Sequence, residues 1–121
     1  MSRIVKAGLI QCINPINDNE TAVEQVKKAA LEAHLPWIDK AGQQGVQLLC
    51  LQEIFNGPYF CPSQDKRWYV SAEPVPGPTV EVLSSYARKY NMVLVVPVYE
   101  KEMSGVFYNT AAVIDADGKY L

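Results

Sequence analysis

The sequence predicts an α/β protein in which helices pack on a sheet, with the element order β-α-β-α-β-β. Three observations predict it. Near-continuous apolar runs fall at 46–52 (VQLLCLQ), 92–99 (MVLVVPVY) and 107–114 (FYNTAAVI), with a looser one at 3–12. Two intervening segments carry apolar residues at steps of three and four, the period of a helix. Clusters of Gly, Pro, Asn and Asp separate these segments. Apolar strands alternating with amphipathic helices are the pattern of a layered α/β domain.

Residues 3–12 include Ile4, Val5, Leu9 and Ile10 and suit a buried strand. The stretch is basic and then apolar, as a signal peptide is, but Lys6 and Gln11 cut the apolar part short, so it is read as the first strand. Asn14, Pro15, Asn17 and Asp18 mark a turn. The next helix is expected to open on a capping box, Thr21 with Glu24 or, earlier, Asn17 with Glu20. Val23, Val26, Ala30, Ala33, Trp37 and Ala41 line one face of it. Pro36 interrupts the pattern at a cost of about 3 kcal/mol, which predicts a kink or restart and an end near Gly42 or Gly45.

The run at 46–52 is a second buried strand, followed by a loop with Asn56, Gly57, Pro58 and Pro62. The segment 74–78 (PVPGP) cannot be helical, and Thr79 after it is the expected N-cap of a second helix. Val80, Leu83, Ala87 and Tyr90 form its apolar face, and it should end at Asn91. The third strand is 92–99, with Pro97 near its end, a bulge or an edge. The fourth is 107–114, and Asp117-Gly118 is a hairpin turn into the start of a fifth. A three-residue arm supports a hairpin poorly, so residues 1–121 are expected to be the N-terminal part of one longer domain.

A net charge of −2, with basic residues in scattered pairs, gives no electrostatic ground for binding nucleic acid or an anionic membrane. No apolar run is long enough to span a bilayer. Cys12, Cys50 and Cys61 are odd in number and, with the single His34, offer no metal-ligand spacing. Reduced thiols in a cytoplasmic protein, without metal, are the expectation.

Glu53 is the informative residue. It directly follows an apolar strand and precedes a loop rich in Gly, Pro and aromatics. Ligands of α/β sheets bind beyond the carboxyl ends of the strands. With Phe55, Tyr59 and Phe60 around it, Glu53 is expected in a partly apolar pocket, where desolvation would raise its proton affinity and suit it to act as a base. The bland alternative is a solvated strand-end charge. Glu100, closing the third strand, is placed to face the same crevice. Tyr59, Phe60 and Asn109 are candidate pocket residues, with packing as the alternative for the aromatics and a sheet-end bond as the alternative for Asn109. Cys12 and Cys50 are expected in the core and His34 on a surface or half-buried position; Cys61 is a remote candidate for a surrogate nucleophile.

Four segments carry a resemblance: LQEIFNGPYFC at 51–61, AEPVPGPT at 72–79, VVPVYE at 95–100 and YNTAAVIDADGKYL at 108–121. In order, they resemble successive segments of the nitrilase superfamily of carbon–nitrogen hydrolases, most closely its N-carbamoyl amino acid amidohydrolase (β-ureidopropionase-like) branch. The resemblance implies a four-layer α-β-β-α sandwich, a small-molecule substrate, no cofactor, a homo-oligomer for the complete protein and a Glu-Lys-Cys triad. In that triad the Cys thiolate attacks the substrate carbon, Glu is general base and Lys stabilises the oxyanion. A free thiol has a pKa of about 8.5 and needs such a base at neutral pH. Glu53 matches the family's glutamate, and the family often carries an acid where Glu100 stands. The family's lysine lies in an Arg-Lys-x-His segment beyond Leu121, so Lys119 does not match it. None of the three cysteines matches the nucleophile. Two readings follow: a parent enzyme that hydrolyses a small N-carbamoyl amino acid or amine, or a non-catalytic fragment or pseudoenzyme. Nitrile and aliphatic amide hydrolysis are alternatives within the same superfamily.

Overall fold

The period of two along the strands and the position of the two helices set which side of the sheet is covered. The computed structural model describes residues 3–121. The signal-peptide alternative also involves Met1 and Ser2, which lie outside the described residues. Strands β1 (Ala7–Ile10), β2 (Leu48–Leu51), β3 (Val93–Met103) and β4 (Val106–Ile114) form one sheet in that order. The first three run parallel and β4 is antiparallel to β3. Helix α1 (Val23–Gln43) connects β1 to β2, and α2 (Pro78–Tyr90) connects β2 to β3. Right-handed crossovers that step the same way across a sheet place both helices on one face. Ile38 of α1 and Leu83 and Ala87 of α2 accordingly join Leu49, Leu94, Val96 and Val98 in the main core. The predicted order holds, with one addition, a short 3-10 helix at Lys66–Ser71.

The other face of the sheet is open. Leu9 is 86% exposed, Leu48 is exposed, and Cys50, Val93 and Val95 are only half-buried. Strands β1 and β2 therefore correct the expectation of burial on both faces: no helix among the described residues covers that side. Cys12 and Cys50, expected in the core, are half-buried free thiols, and burial pushes the Cys12 thiol up from its ordinary pKa.

Neither capping box forms. Ala22 is the N-cap of α1 and makes no side-chain bond. Thr21 is used earlier, where the Asp18 carboxylate accepts its backbone N–H (2.6 Å), its hydroxyl (2.7 Å) and the Glu20 N–H (2.9 Å). Helix α1 runs unbroken through Pro36. Pro36 and Glu32 are both exposed, so solvent reaches the Glu32 carbonyl that Pro36 leaves without a donor. The buried face is Val23, Val26, Ala30, His34 and Ile38, whereas Trp37 is 51% exposed. His34 corrects the surface expectation. It is 1% exposed, meets Phe55 edge to face at 5.0 Å, and donates from Nδ1 to the Ala30 carbonyl at 2.7 Å.

Gly77, not Thr79, is the N-cap of α2, with Pro78 as the first helical residue. The backbone N–H of Thr79 is instead taken by Glu73 Oε1 at 3.1 Å. The helix ends as expected at Asn91, which adopts the left-handed conformation at φ 50°. Pro97 lies inside β3 and not at its end. The β2–β3 ladder stops at Cys50 and Val95, so Pro97 falls where no donor is required, and its carbonyl accepts the Phe55 N–H at 3.3 Å. Gly118, at φ 87°, turns the chain after β4, and Tyr120 forms an isolated antiparallel bridge with Ile114.

Candidate active site

Leu51 closes β2, and the next residues build a turn that separates one side chain from three others. Ile54 sits at φ 47°, Phe55 is 0% exposed, and Ile54 and Asn56 are also buried. A β-branched residue at positive φ is a genuine outlier costing about 1–3 kcal/mol, and it persists only where its surroundings over-determine it. Here the Gly57 N–H bonds the Ile54 carbonyl (3.1 Å), the Phe55 N–H bonds Pro97, and Asn56 Nδ2 donates to Thr79 Oγ1 (3.1 Å). Three consecutive residues turn inward, which leaves Glu53 on the outside.

Glu53 is exposed, on the face of the sheet opposite the helices. Asn109 Nδ2 of β4 donates to its Oε1 at 2.5 Å, while Oε2 has no hydrogen bond among the described residues. Glu53 borders an open cleft of about 250 Å³ lined by Gln11, Asn14, Gln52, Glu53, Gly57 and Tyr59. The expected apolar shelter is therefore absent from the described residues. Phe55 points into the core beneath the helices. Phe60 stacks on Trp68 and meets Tyr99 edge-on at 5.1 Å, and Tyr99 stacks on Phe107 at 5.4 Å, so Phe60 ties the loop to the sheet. Tyr59 alone of the three aromatics lines the cleft. A hydrogen bond with the Cys61 thiol, and then the charges of Cys61 and Glu53, push its phenol above the ordinary value.

Glu100 faces the other way. Leu94, Val96 and Val98 point at the helices, and Glu100 continues that series, accepting the hydroxyl of Thr110, which lies in register with Ala112 and Ile114. Tyr99 and Asn109, paired across β3 and β4, have the opposite parity and share the side of Glu53. The structure thus brings Glu53, Asn109 and Tyr59 together, turns Glu100 to the opposite face, and sets Phe60 against Tyr99 on the Glu53 side but outside the lining of the cleft. Gln11, Asn14 and Gln52 also line the cleft; their signal in the sequence is adjacency to the ends of β1 and β2, which the parallel pairing places side by side. No cluster of His, Cys, Asp or Glu among the described residues could hold a metal, and no helix among them is long and apolar enough to cross a membrane. What remains is an exposed carboxylate with one oxygen fixed by a neutral donor and the other without a hydrogen bond among the described residues, an arrangement suited to accepting a proton from a group brought to it.

Comparison with known proteins adds the family. The carbon–nitrogen hydrolase sequence profile matches residues 6–121. A β-ureidopropionase of Arabidopsis thaliana is 38% identical over 98% of this chain and 29% of its own length. An N-carbamoylputrescine amidase of Solanum lycopersicum is 31% identical over 97% of this chain and 36% of its own length. The crystal structure of a carbon–nitrogen hydrolase from Helicobacter pylori G27 superposes with a TM-score of 0.81 at 23% identity, covering 96% of this chain and 37% of that one, and shows the same fold. The chain spans about a third of the length of the curated relatives it matches. With the profile running along nearly the whole sequence, this chain belongs to the carbon–nitrogen hydrolase family, within the nitrilase superfamily whose motifs it carries.

Proposed function

We propose that the complete protein hydrolyses the carbamoyl C–N bond of a small N-carbamoyl amino acid or amine, with Glu53 as general base. The observation that carries the reading is the presentation of Glu53: it leaves the carboxyl end of β2 on a strained turn, exposed beside the cleft, with Oε1 held by Asn109. The names of the two relatives support a carbamoyl substrate. In this mechanism Glu53 accepts the proton of a cysteine thiol, the thiolate attacks the carbamoyl carbon, and Glu53 returns that proton to the departing amine or ammonia, which leaves it ionised again. Glu53 then takes a proton from the water that cleaves the thioester. A cysteine and a lysine from sequence outside these 121 residues complete the triad. The same proposal includes a homo-oligomer, a cytoplasmic location and no cofactor; three free thiols support the reducing compartment.

The 121 residues alone are read as non-catalytic. Lys119 Nζ pairs with Asp117 Oδ2 at 2.6 Å, and no cysteine thiol bonds Glu53 among the described residues. The test is ammonia release from N-carbamoyl-β-alanine by the complete reading frame, by its Glu53→Gln variant and by residues 1–121. Loss of a general base should lower the rate roughly 10²–10⁴-fold, and the short chain should release none. Equal rates for the first two proteins refute the base assignment, and turnover by the short chain refutes its non-catalytic reading.

A further inference from the structure

The ion pair of Lys27 and Glu73 lies on the far side of the Glu53 turn and belongs to no step of the proposed reaction. Glu73 is 6% exposed, and a buried carboxylate is tolerated only when paired. Its Oε2 accepts Lys27 Nζ at 2.7 Å, and its Oε1 accepts the Thr79 N–H at the start of α2. Its main chain is fastened to β3, donating to the Tyr99 carbonyl (3.0 Å) and accepting from the Lys101 N–H (2.8 Å). Lys27 also donates to the Ser71 carbonyl at 2.6 Å. The Glu73 carboxylate therefore ties Lys27 of α1 to the first turn of α2, while its main chain holds β3 and Lys27 holds the end of the 3-10 segment.

Thr79, held at its N–H by Glu73, uses its hydroxyl to accept Asn56 Nδ2 at 3.1 Å. The direct separation of Asn56 Nδ2 from Glu73 Oε2, 3.5 Å, is at the limit of a hydrogen bond, so Thr79 is the main link. Asn56 lies three residues beyond Glu53, with Ile54 at its positive φ between them. The Ile54–Gly57 bond is local to the turn, and the Phe55–Pro97 bond is long. The Asn56 side chain is the short polar anchor from this turn to another element.

We propose that Glu73 is a positioning residue for Glu53, acting through Thr79 and Asn56 to hold the strained turn that presents the carboxylate to Asn109. The proposal rests on the reading of Glu53 as the base. A salt bridge that merely stabilises the fold would loosen the whole chain when removed. The clamp, by contrast, confines the loosening to the turn and carries it to the Glu53–Asn109 contact.

The test is hydrogen exchange of the 121-residue chain, together with the NMR resonances of the Asn109 side-chain amide, in Glu73→Gln, Thr79→Val and Lys27→Arg. Glu73→Gln should speed exchange of the Phe55 and Gly57 amides at least tenfold, leave residues 94–96 unchanged, and move the Asn109 amide toward its unbonded position. Thr79→Val keeps the backbone bond to Glu73 and removes the hydroxyl; it should open the same segment. Lys27→Arg keeps the ion pair and should behave as wild type. Uniform loss of protection in Thr79→Val, or an Asn109 resonance unmoved in both disruptive variants, overturns the proposal. If Glu73→Gln does not fold, Thr79→Val decides alone. None of these readouts needs turnover: a Glu53→Gln enzyme that still released ammonia would end the base assignment without touching the clamp.

Discussion

The carboxylate of Asp18 ties the turn that precedes α1, and it makes a pH prediction. Bonds from the Thr21 N–H, the Thr21 hydroxyl and the Glu20 N–H, in that order of effect, hold its carboxyl below the ordinary value. A depressed folded value means that the stabilisation is complete above the unfolded pKa, about 3.9, and is lost as pH falls through the folded one. The thermal midpoint of wild type should therefore exceed that of Asp18→Ala at pH 6, with the gap closing as acid is added below about pH 3.9. A gap independent of pH would show that the carboxylate charge contributes nothing. Single residues were legible where position alone decides. The place of Glu53 beside a cleft is legible because it follows an apolar strand, and strand ends of this kind lie at clefts. Glu100 was misplaced because its side depends on register: one residue of offset moves a side chain to the opposite face. His34 is expected at a surface or half-buried position and is instead buried, because its Nδ1 finds the Ala30 carbonyl.

At the scale of elements, α1 and α2 meet at a point that the sequence read only as a helix end. Gly42 continues α1, and a Cβ built on it would lie 2.2 Å from Cγ of Tyr90 in α2. Tyr90 is tethered by its hydroxyl to Asp39, so the base of the ring has little room to withdraw. Gly→Ala within a helix ordinarily gains about 1 kcal/mol. Here the close approach reverses the sign, and Gly42→Ala should lose about 1–3 kcal/mol in urea unfolding. A gain would show that the two helices are further apart than the structure places them. The existence and order of strands and helices were readable because apolar period and turn residues agree. Their edges were less so. Strand β3 runs on through Glu100, Lys101 and Glu102, whose charges ended the apolar run on which its predicted length relied. Helix α1 kept its length through Pro36 because the lost bond faces solvent. The buried face of α1 departs from the expected one after Ala30, where His34 and Ile38 are buried, one position on from Ala33 and Trp37.

For the whole molecule, one α layer covers one side of the sheet, and the other side carries apolar residues in the open. Ala7, Gly8, Leu9, Leu48 and Cys50 line a depression of about 520 Å³ on that side. The apolar runs could not disclose this, because a strand buried on two faces and a strand awaiting a second cover have the same composition. In the four-layer sandwich that the resemblance implies, a second sheet would lie here, beside the cleft of Glu53. Exposed apolar area of this kind drives association. The 121-residue chain should therefore sediment as a concentration-dependent mixture of monomer and larger species. Leu9→Lys should shift that mixture toward monomer, because a charge at the centre of the patch must be desolvated in any face-to-face contact. Leu9 is already exposed, so the substitution should change folding stability by no more than about 0.5 kcal/mol. Association that persists in Leu9→Lys would move the contact elsewhere, to the unpaired edge of β1. A strictly monomeric wild-type chain would mean that the open face is not adhesive, and the exposure of Glu53 would then be a stable feature of the chain in solution.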